Sequence, residues 1–190
     1  MTPGKLIIIS APSGCGKSTI IGEIIKNPDL RLEFSISATT REPRRGEVDG
    51  VNYYFLTTEQ FEKAIKNDEL VEYEEVYAGR YYGTLKSEIA RIQAEGKNMI
   101  LDIDVKGGVN VKEKYGDAAL SIFIQPPSIE TLRHRLLSRG TDSIEAINQR
   151  VGKAAFELTF AERFDRVVVN DILHEAVDEV EKIIKDFVNA

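Results

Sequence analysis

Apolar residues fall along this chain in two rhythms that alternate from one end to the other. Residues 5–9 follow Lys5 with Leu6 and three isoleucines, residues 98–104 carry Met99, Ile100, Leu101 and Ile103, and residues 120–124 are apolar apart from Ser121. Runs this short and this uniformly apolar predict strands buried on both faces, as in a parallel sheet. Between them the spacing lengthens to that of helices: Ile20, Ile21, Ile24 and Ile25 up to Asn27-Pro28, then Leu85, Ile89 and Ile92 up to Gly96, then a short helix ending at Tyr115-Gly116. After the break at Pro126-Pro127, the pattern predicts a helix over 128–139 closed by Gly140 and a longer one through Leu158 capped by Asp142 with Glu145. A last strand over 166–169 precedes an amphipathic helix on Ile172, Ala176, Val180, Ile183, Ile184 and Phe187. Strand and helix in alternation predict an α/β fold.

One stretch breaks the alternation. Residues 32–37 read as a strand with Phe34 and Ile36 on one face, after which Thr39-Thr40-Arg41-Glu42-Pro43-Arg44-Arg45-Gly46 opens an irregular, basic and tyrosine-rich segment. Asp49-Gly50 predicts a hairpin turn before the apolar residues of 51–55, Thr57 with Gln60 predicts a capping box for a helix carrying Phe61 and Ile65, and 70–76 with 80–84 read as strands around Ala78-Gly79. Connections this short leave no room for helical crossovers, so antiparallel pairing is expected here. No internal repeat, low-complexity tract or long linker interrupts the chain.

The chemistry starts at the first strand. It runs into Ala11-Pro12-Ser13-Gly14-Cys15-Gly16-Lys17-Ser18-Thr19, where the glycines let successive N–H groups turn inward on an anion and the following helix adds its positive end. Lys17 then reaches the β- and γ-phosphates of a nucleotide, and the Ser18 hydroxyl ligates Mg²⁺. Ala11 stands where the strict pattern has glycine, which is harmless if that residue keeps a negative φ. Cys15 inside the loop has two readings: a thiolate activated by the loop N–H groups and Lys17, or a small side chain filling space behind the loop. Asp102, closing an apolar strand, is placed to hold Mg²⁺ through water, its plainer alternative being a cap on the next turn. Arg41 and Arg44 can converge two planar forks on one phosphate, with Tyr53 and Tyr82 adding hydroxyl donors. Arg133, Arg135, Arg139 and Arg150 are either a soluble helical surface or a charge-neutralising lid.

Composition narrows the class. A chain of 190 residues, 42% hydrophobic and 29% charged, supports one real core with at most a small appended subdomain. The net charge of −6 argues against a broad nucleic-acid footprint and favours a small anion met by local basic clusters. The apolar stretch near the N-terminus is too short for a signal peptide, and no segment reaches membrane-spanning length. A single cysteine fits a reducing cytoplasm. His134 and His174 read as ordinary surface residues.

These residues converge on a family. Ser37-x-x-Thr40-Arg41-x-Pro43-Arg44-x-Gly46-Glu47 through Gly50, Tyr53 and Phe55, the Tyr81-Tyr82-Gly83-Thr84 run, Ile100-Leu101-Asp102-Ile103-Asp104, Arg135-Leu136-x-x-Arg139-Gly140-Thr141-Asp142 and Val168-Val169-Asn170-Asp171 resemble the guanylate kinases over almost the whole length. The resemblance implies transfer of the ATP γ-phosphate to GMP, with dGMP an expected second acceptor, on a P-loop core (1–36, 85–125, 151–190) bearing a mixed or antiparallel GMP-binding insert (37–84) and a helical lid (126–150). It assigns residues 11–19 and Asn170 to ATP, the latter on the adenine side, and Arg41, Arg44, Tyr53 and Tyr82 to the GMP phosphate. Ser37, Glu72, Thr84 and Asp104 fall to guanine, and Lys17, Arg135, Arg139 and Arg150 to the transferring phosphoryl group. Guanine presents adjacent N1–H and N2–H₂ donors beside an O6 acceptor, so a carboxylate such as Glu72 with a hydroxyl donor matches it and mismatches adenine. Neither nucleic acid, membrane nor an obligate protein partner is expected. Two rivals share the core: a sugar-phosphate kinase, which has no use for Glu72 and Asp104, and a phosphopeptide-binding module, whose phosphate loop is typically degraded.

Overall fold

The computed structural model describes residues 4–140 and 143–190, except the side chain of Arg139. The buried apolar runs form a five-stranded sheet in the order β2 (Leu32–Phe34), β7 (Asn98–Asp102), β1 (Leu6–Ser10), β8 (Ala119–Gln125), β9 (Arg166–Val169), with every pair parallel. Central β1 is buried at every position, as a strand covered on both faces must be. Helices α1 (Lys17–Ile24) and α7 (Leu173–Asn189) pack on each other, with Ile20, Ile21 and Ile24 meeting Ala176, Val180 and Ile184 in the main core. Against the other face, Ile92 of α3 (Lys86–Ala94) and Val111 of α4 (Val105–Tyr115) join Leu6, Ile8, Met99 and Leu101. Helices α5 (Ile129–Arg139) and α6 (Ile144–Leu158) pack together beside the first cluster, through Leu132, Leu136, Ile147 and Ala154.

A second, four-stranded sheet rises beside the first in the order β4 (Tyr54–Phe55), β3 (Ser37–Thr39), β6 (Arg80–Leu85), β5 (Leu70–Tyr77), with α2 (Thr58–Lys66) over it. Its pairing is mixed: β3 runs parallel to β4 and antiparallel to β6, which is antiparallel to β5. Its small core gathers Ala38, Phe61, Ala64 and Leu70, with Phe61 stacked on Tyr81 at 5.1 Å.

Several local expectations are corrected. Residues 32–37 are two strands in two sheets, and Phe34 is exposed, because the chain leaves the parallel sheet at Ser35-Ile36. No hairpin forms at Asp49-Gly50: Asp49 Oδ1 accepts the Phe55 N–H, an isolated bridge joins Asp49 to Tyr53, and β4 pairs parallel to β3 instead. The strand expected over 98–104 stops at Asp102, since Asp104 is the N-cap of α4, accepting the Gly107 N–H at 2.6 Å. Helix α6 is capped by Ser143, which accepts the Ala146 N–H, and Asp142 lies outside the described residues. The capping box of α2 forms as the Thr57 and Gln60 pattern predicts.

Candidate active site

Where β1 ends, the loop 11–16 wraps into α1 with Gly14 at φ 89° and Gly16 at φ 86°, both left-handed. At Gly16 a side chain is excluded twice, since a Cβ would also lie 2.4 Å from Asn170 Nδ2. That amide donates to the Cys15 carbonyl at 2.8 Å, so Asn170, 6% exposed, braces the loop from behind. The loop lines a cleft of about 500 Å³ together with Lys17, Ser18, Thr19, Asp102, Ile103, Asp104, Lys153 and Glu157. Lys17 Nζ lies 2.6 Å from Asp102 Oδ1 and donates to the Ile103 carbonyl at 3.1 Å. The ammonium is thus held at the end of the neighbouring strand β7, beside the glycine-rich loop. Ser18 Oγ and the Asp102 carboxylate face the same cleft as oxygen donors, which fits a hard cation that keeps part of its water shell.

Cys15 is 1% exposed, and burial pushes its thiol up to about 12, Arg135 pulling the other way and Glu157 adding to the rise. The thiol is a protonated packing group, and the activated-thiolate alternative is not what the loop builds.

A second cleft of about 370 Å³ opens on the far side of residues 102–104, which line both. Its wall is the second sheet. Register places Ser37, Thr84 and Glu72 in one cross-strand row on β3, β6 and β5, and the buried Thr84 hydroxyl donates to Glu72 Oε1 at 2.7 Å. A bulge at Val71 makes the row: Leu70 opposes Leu85 and Glu72 opposes Thr84, so Leu70 and Val71 are both buried in different apolar clusters while Glu72 faces the cleft. Gly83 lets the strands close up, since a Cβ there would meet the Glu72 carbonyl at 2.6 Å. Burial raises the Glu72 carboxyl pKa, the Thr84 hydroxyl bond opposing and Asp104 and Glu74 adding to the rise.

Tyr53 and Tyr82 meet edge-on at 6.2 Å at one end of this cleft. Arg41 lies over the Tyr53 ring at 4.9 Å, but its fork is already engaged, both terminal nitrogens donating to Glu47 at 2.6 Å. Glu47 also accepts the Arg44 N–H, and these donors pull its pKa down to about 2. The Arg44 side chain is exposed.

The remaining arginines lie on α5 and α6. Arg135 donates to the Asn170 carbonyl at 2.8 Å and to the Asp171 carbonyl at 3.1 Å, which anchors α5 to the end of β9 beside the loop. Arg150 sits half-buried in α6, the Arg139 side chain lies outside the described residues, and Arg133, His134 and His174 are exposed.

Three acidic residues of evident structural weight carry no role in the sequence reading. Glu47 stands inside the quoted arginine motif, where its complementarity to Arg41 was a readable signal. Glu88 is a buried carboxylate on α3 with no local signature. Glu157, 8% exposed, lines the loop cleft, and its Oε2 is, among the described residues, a buried side-chain oxygen without a hydrogen-bond partner.

Known proteins carry the same organisation. A family model described as guanylate kinase matches residues 3–187. A guanylate kinase of Bacteroides thetaiotaomicron is 56% identical over 98% of this chain and 91% of its own length, and one of Porphyromonas gingivalis is 56% identical over 97% and 98%. The crystal structure of guanylate kinase from Anaplasma phagocytophilum superposes with a TM-score of 0.71 at 30% identity, covering all of this chain and 89% of that one. With a matched model spanning residues 3–187 and relatives 56% identical over nearly its whole length, this chain belongs to the guanylate kinase family.

Proposed function

We infer that the two clefts hold the two substrates of one reaction, transfer of the ATP γ-phosphate to GMP to give ADP and GDP. The observation that carries this is their junction: residues 102–104 line both, and Lys17 sits at that junction on Asp102 and the Ile103 carbonyl. A phosphoryl group passing between nucleotides needs positioning and charge neutralisation rather than a protein nucleophile, and a lysine there can follow the moving charge.

On this reading, the loop 11–19 cradles the ATP phosphates through its N–H groups, and incoming triphosphate draws Lys17 from Asp102. Ser18 and, through water, Asp102 would hold Mg²⁺, which supplies neutralisation of phosphate charge when bound. Asn170 belongs to the ATP side, where it braces the Cys15 carbonyl. In the other cleft Glu72 accepts from guanine N1–H and N2–H₂, while Ser37 and Thr84 supply hydroxyls and Asp104 a further acceptor at the helix cap. Tyr53, Tyr82 and Arg44 receive the GMP phosphate, and Arg41 holds the loop through Glu47 or exchanges that carboxylate for phosphate. Arg135, Arg139 and Arg150 belong to a lid over 126–150 that closes on the transferring group and excludes water. dGMP serves as a second acceptor, since no named side chain is assigned to the ribose. The lone buried cysteine supports a reducing, cytoplasmic setting, and no helix among the described residues is long and apolar enough to cross a membrane. The acidic charge balance speaks against nucleic acid as a partner.

An ADP-release assay across GMP, AMP, UMP and a sugar phosphate tests this assignment. Turnover with GMP far above the others is expected, and equal turnover with AMP overturns the guanine row.

A further inference from the structure

Glu88 lies outside both clefts, is 1% exposed, and has each carboxylate oxygen doubly engaged. Oε2 accepts from the Ile36 N–H at 2.7 Å and Arg91 Nη2 at 3.0 Å, and Oε1 from the Tyr54 hydroxyl at 2.8 Å and Arg91 Nε at 2.9 Å. These donors come from places that matter to the topology. The chain leaves the parallel sheet between β2 and β3, where Ile36 precedes Ser37, and returns between β6 and α3, where Glu88 follows Thr84 by one turn. Tyr54 belongs to β4, next to Tyr53. Arg91 continues the network to Glu33 on β2 at 2.7 Å, and Lys97 also binds Glu33. One carboxylate therefore ties together the two chain crossings by which the second sheet is joined to the first.

We propose that Glu88 is a positioning residue for the GMP side of the site: by gripping Ile36, Tyr54 and Arg91 at both crossings, it sets the angle at which the second sheet presents Ser37, Thr84 and Glu72 to the core. This rests on the guanine row described above. A buried carboxylate normally rises in pKa, yet the Glu88 carboxyl lies below the ordinary value, because the Arg91, Ile36 and Tyr54 donors outweigh its burial. It is held ionised, as a clamp on four donors must be. Glutamine cannot replace it, since either orientation of the amide would turn an NH₂ group against two donors. Among the described residues, the network reaches no group that lines the ATP-loop cleft, so its influence falls on one substrate.

The test compares Glu88→Gln, Tyr54→Phe and Arg91→Lys with a Glu72→Gln control in the ADP-release assay, titrating GMP and ATP separately and recording thermal melting for each protein. For Glu88→Gln, KM for GMP is expected to rise about tenfold while KM for ATP stays within about twofold, the size of effect typical when an outer partner of a site residue is lost. If that variant does not fold, Tyr54→Phe and Arg91→Lys decide the question, each removing or misplacing one partner and raising KM for GMP about threefold with the same split. Equal rises for both substrates, or a lowered melting temperature with KM for GMP unchanged, overturn the proposal and leave Glu88 a purely structural residue. A GMP effect in Glu72→Gln alone overturns only the positioning role. No GMP effect in any variant overturns the guanine row as well.

Discussion

The two clefts are built in opposite ways. The loop cleft draws most of its lining from one short stretch, residues 11–19, where the loop opens α1 at Lys17, and on the proposed assignment its recognising groups are mainly backbone N–H. The second cleft is assembled from β3, β5, β6, Tyr53 just before β4, the end of β7 and α4, and on the proposed assignment its recognising groups are side chains whose neighbours lie tens of residues away. Backbone donors and a helix terminus suit any polyphosphate, so the first cleft contributes charge and geometry but little choice. A hydroxyl–carboxylate row in fixed register distinguishes one purine from another. On the proposed assignment, specificity sits where sequence distance is greatest.

The contrast can be broken most severely at Lys17. Replacement by alanine is expected to lower kcat by about 10³-fold, the scale of losing one preorganised charge-stabilising group, with the melting temperature little changed because the Lys17–Asp102 pair is partly exposed. Steady-state turnover and a melting curve together check it. A loss of turnover matched by a loss of fold would make Lys17 structural.

On the acceptor side, Glu72→Gln should reduce kcat/KM for GMP by about 10²-fold, equivalent to a buried polar mismatch of about 1–3 kcal/mol, while KM for ATP holds. The same change should leave the unliganded protein as stable as before or more so. The Glu72 pKa is raised in the fold, so ionising it opposes folding: the penalty is absent below the ordinary value of 4.5, grows as pH rises through that value towards the folded one, and is constant above it. The melting-temperature advantage of the glutamine variant should therefore appear on going from pH 4 to pH 7 in buffers spaced about one unit apart.

Smaller effects belong to the brace behind the loop. Asn170→Ala removes the bond to the Cys15 carbonyl, at about 1 kcal/mol for a buried hydrogen bond, and should raise KM for ATP severalfold without altering the order of preference among acceptors. The smallest expected effect is none: a small thiol reagent applied to the folded, nucleotide-free protein should leave Cys15 unmodified by mass spectrometry, since the thiol is buried and protonated. Rapid labelling would show that the loop opens far enough to expose it.

Much of this was legible in the order of residues. The buried runs of 98–101 and 120–124 appear as parallel strands, the isoleucines after the loop as α1, and the Thr57–Gln60 pair as a capping box, because each depends on neighbours within one turn or one strand. The split of 32–37 into two sheets was hidden, because alternation does not record which sheet a strand joins. The turn at Asp49-Gly50 misled for a related reason. A turn signal specifies reversal of direction, whereas the partner chosen by 54–55 depends on β3 already lying there.

By itself, then, the sequence determined the parallel core, the glycine loop that opens α1 and the family to which both belong, since these follow from periodicity and from residue types at short spacing. The tertiary structure alone decided that Glu72 faces the cleft through a bulge at Val71, that Arg41 is paired with Glu47, that Asn170 supports the loop from behind, and that Glu88 binds both crossings. Each of these depends on which distant groups share a desolvated volume. A buried charge or amide must find its partners there, and spacing along the chain carries no record of that volume.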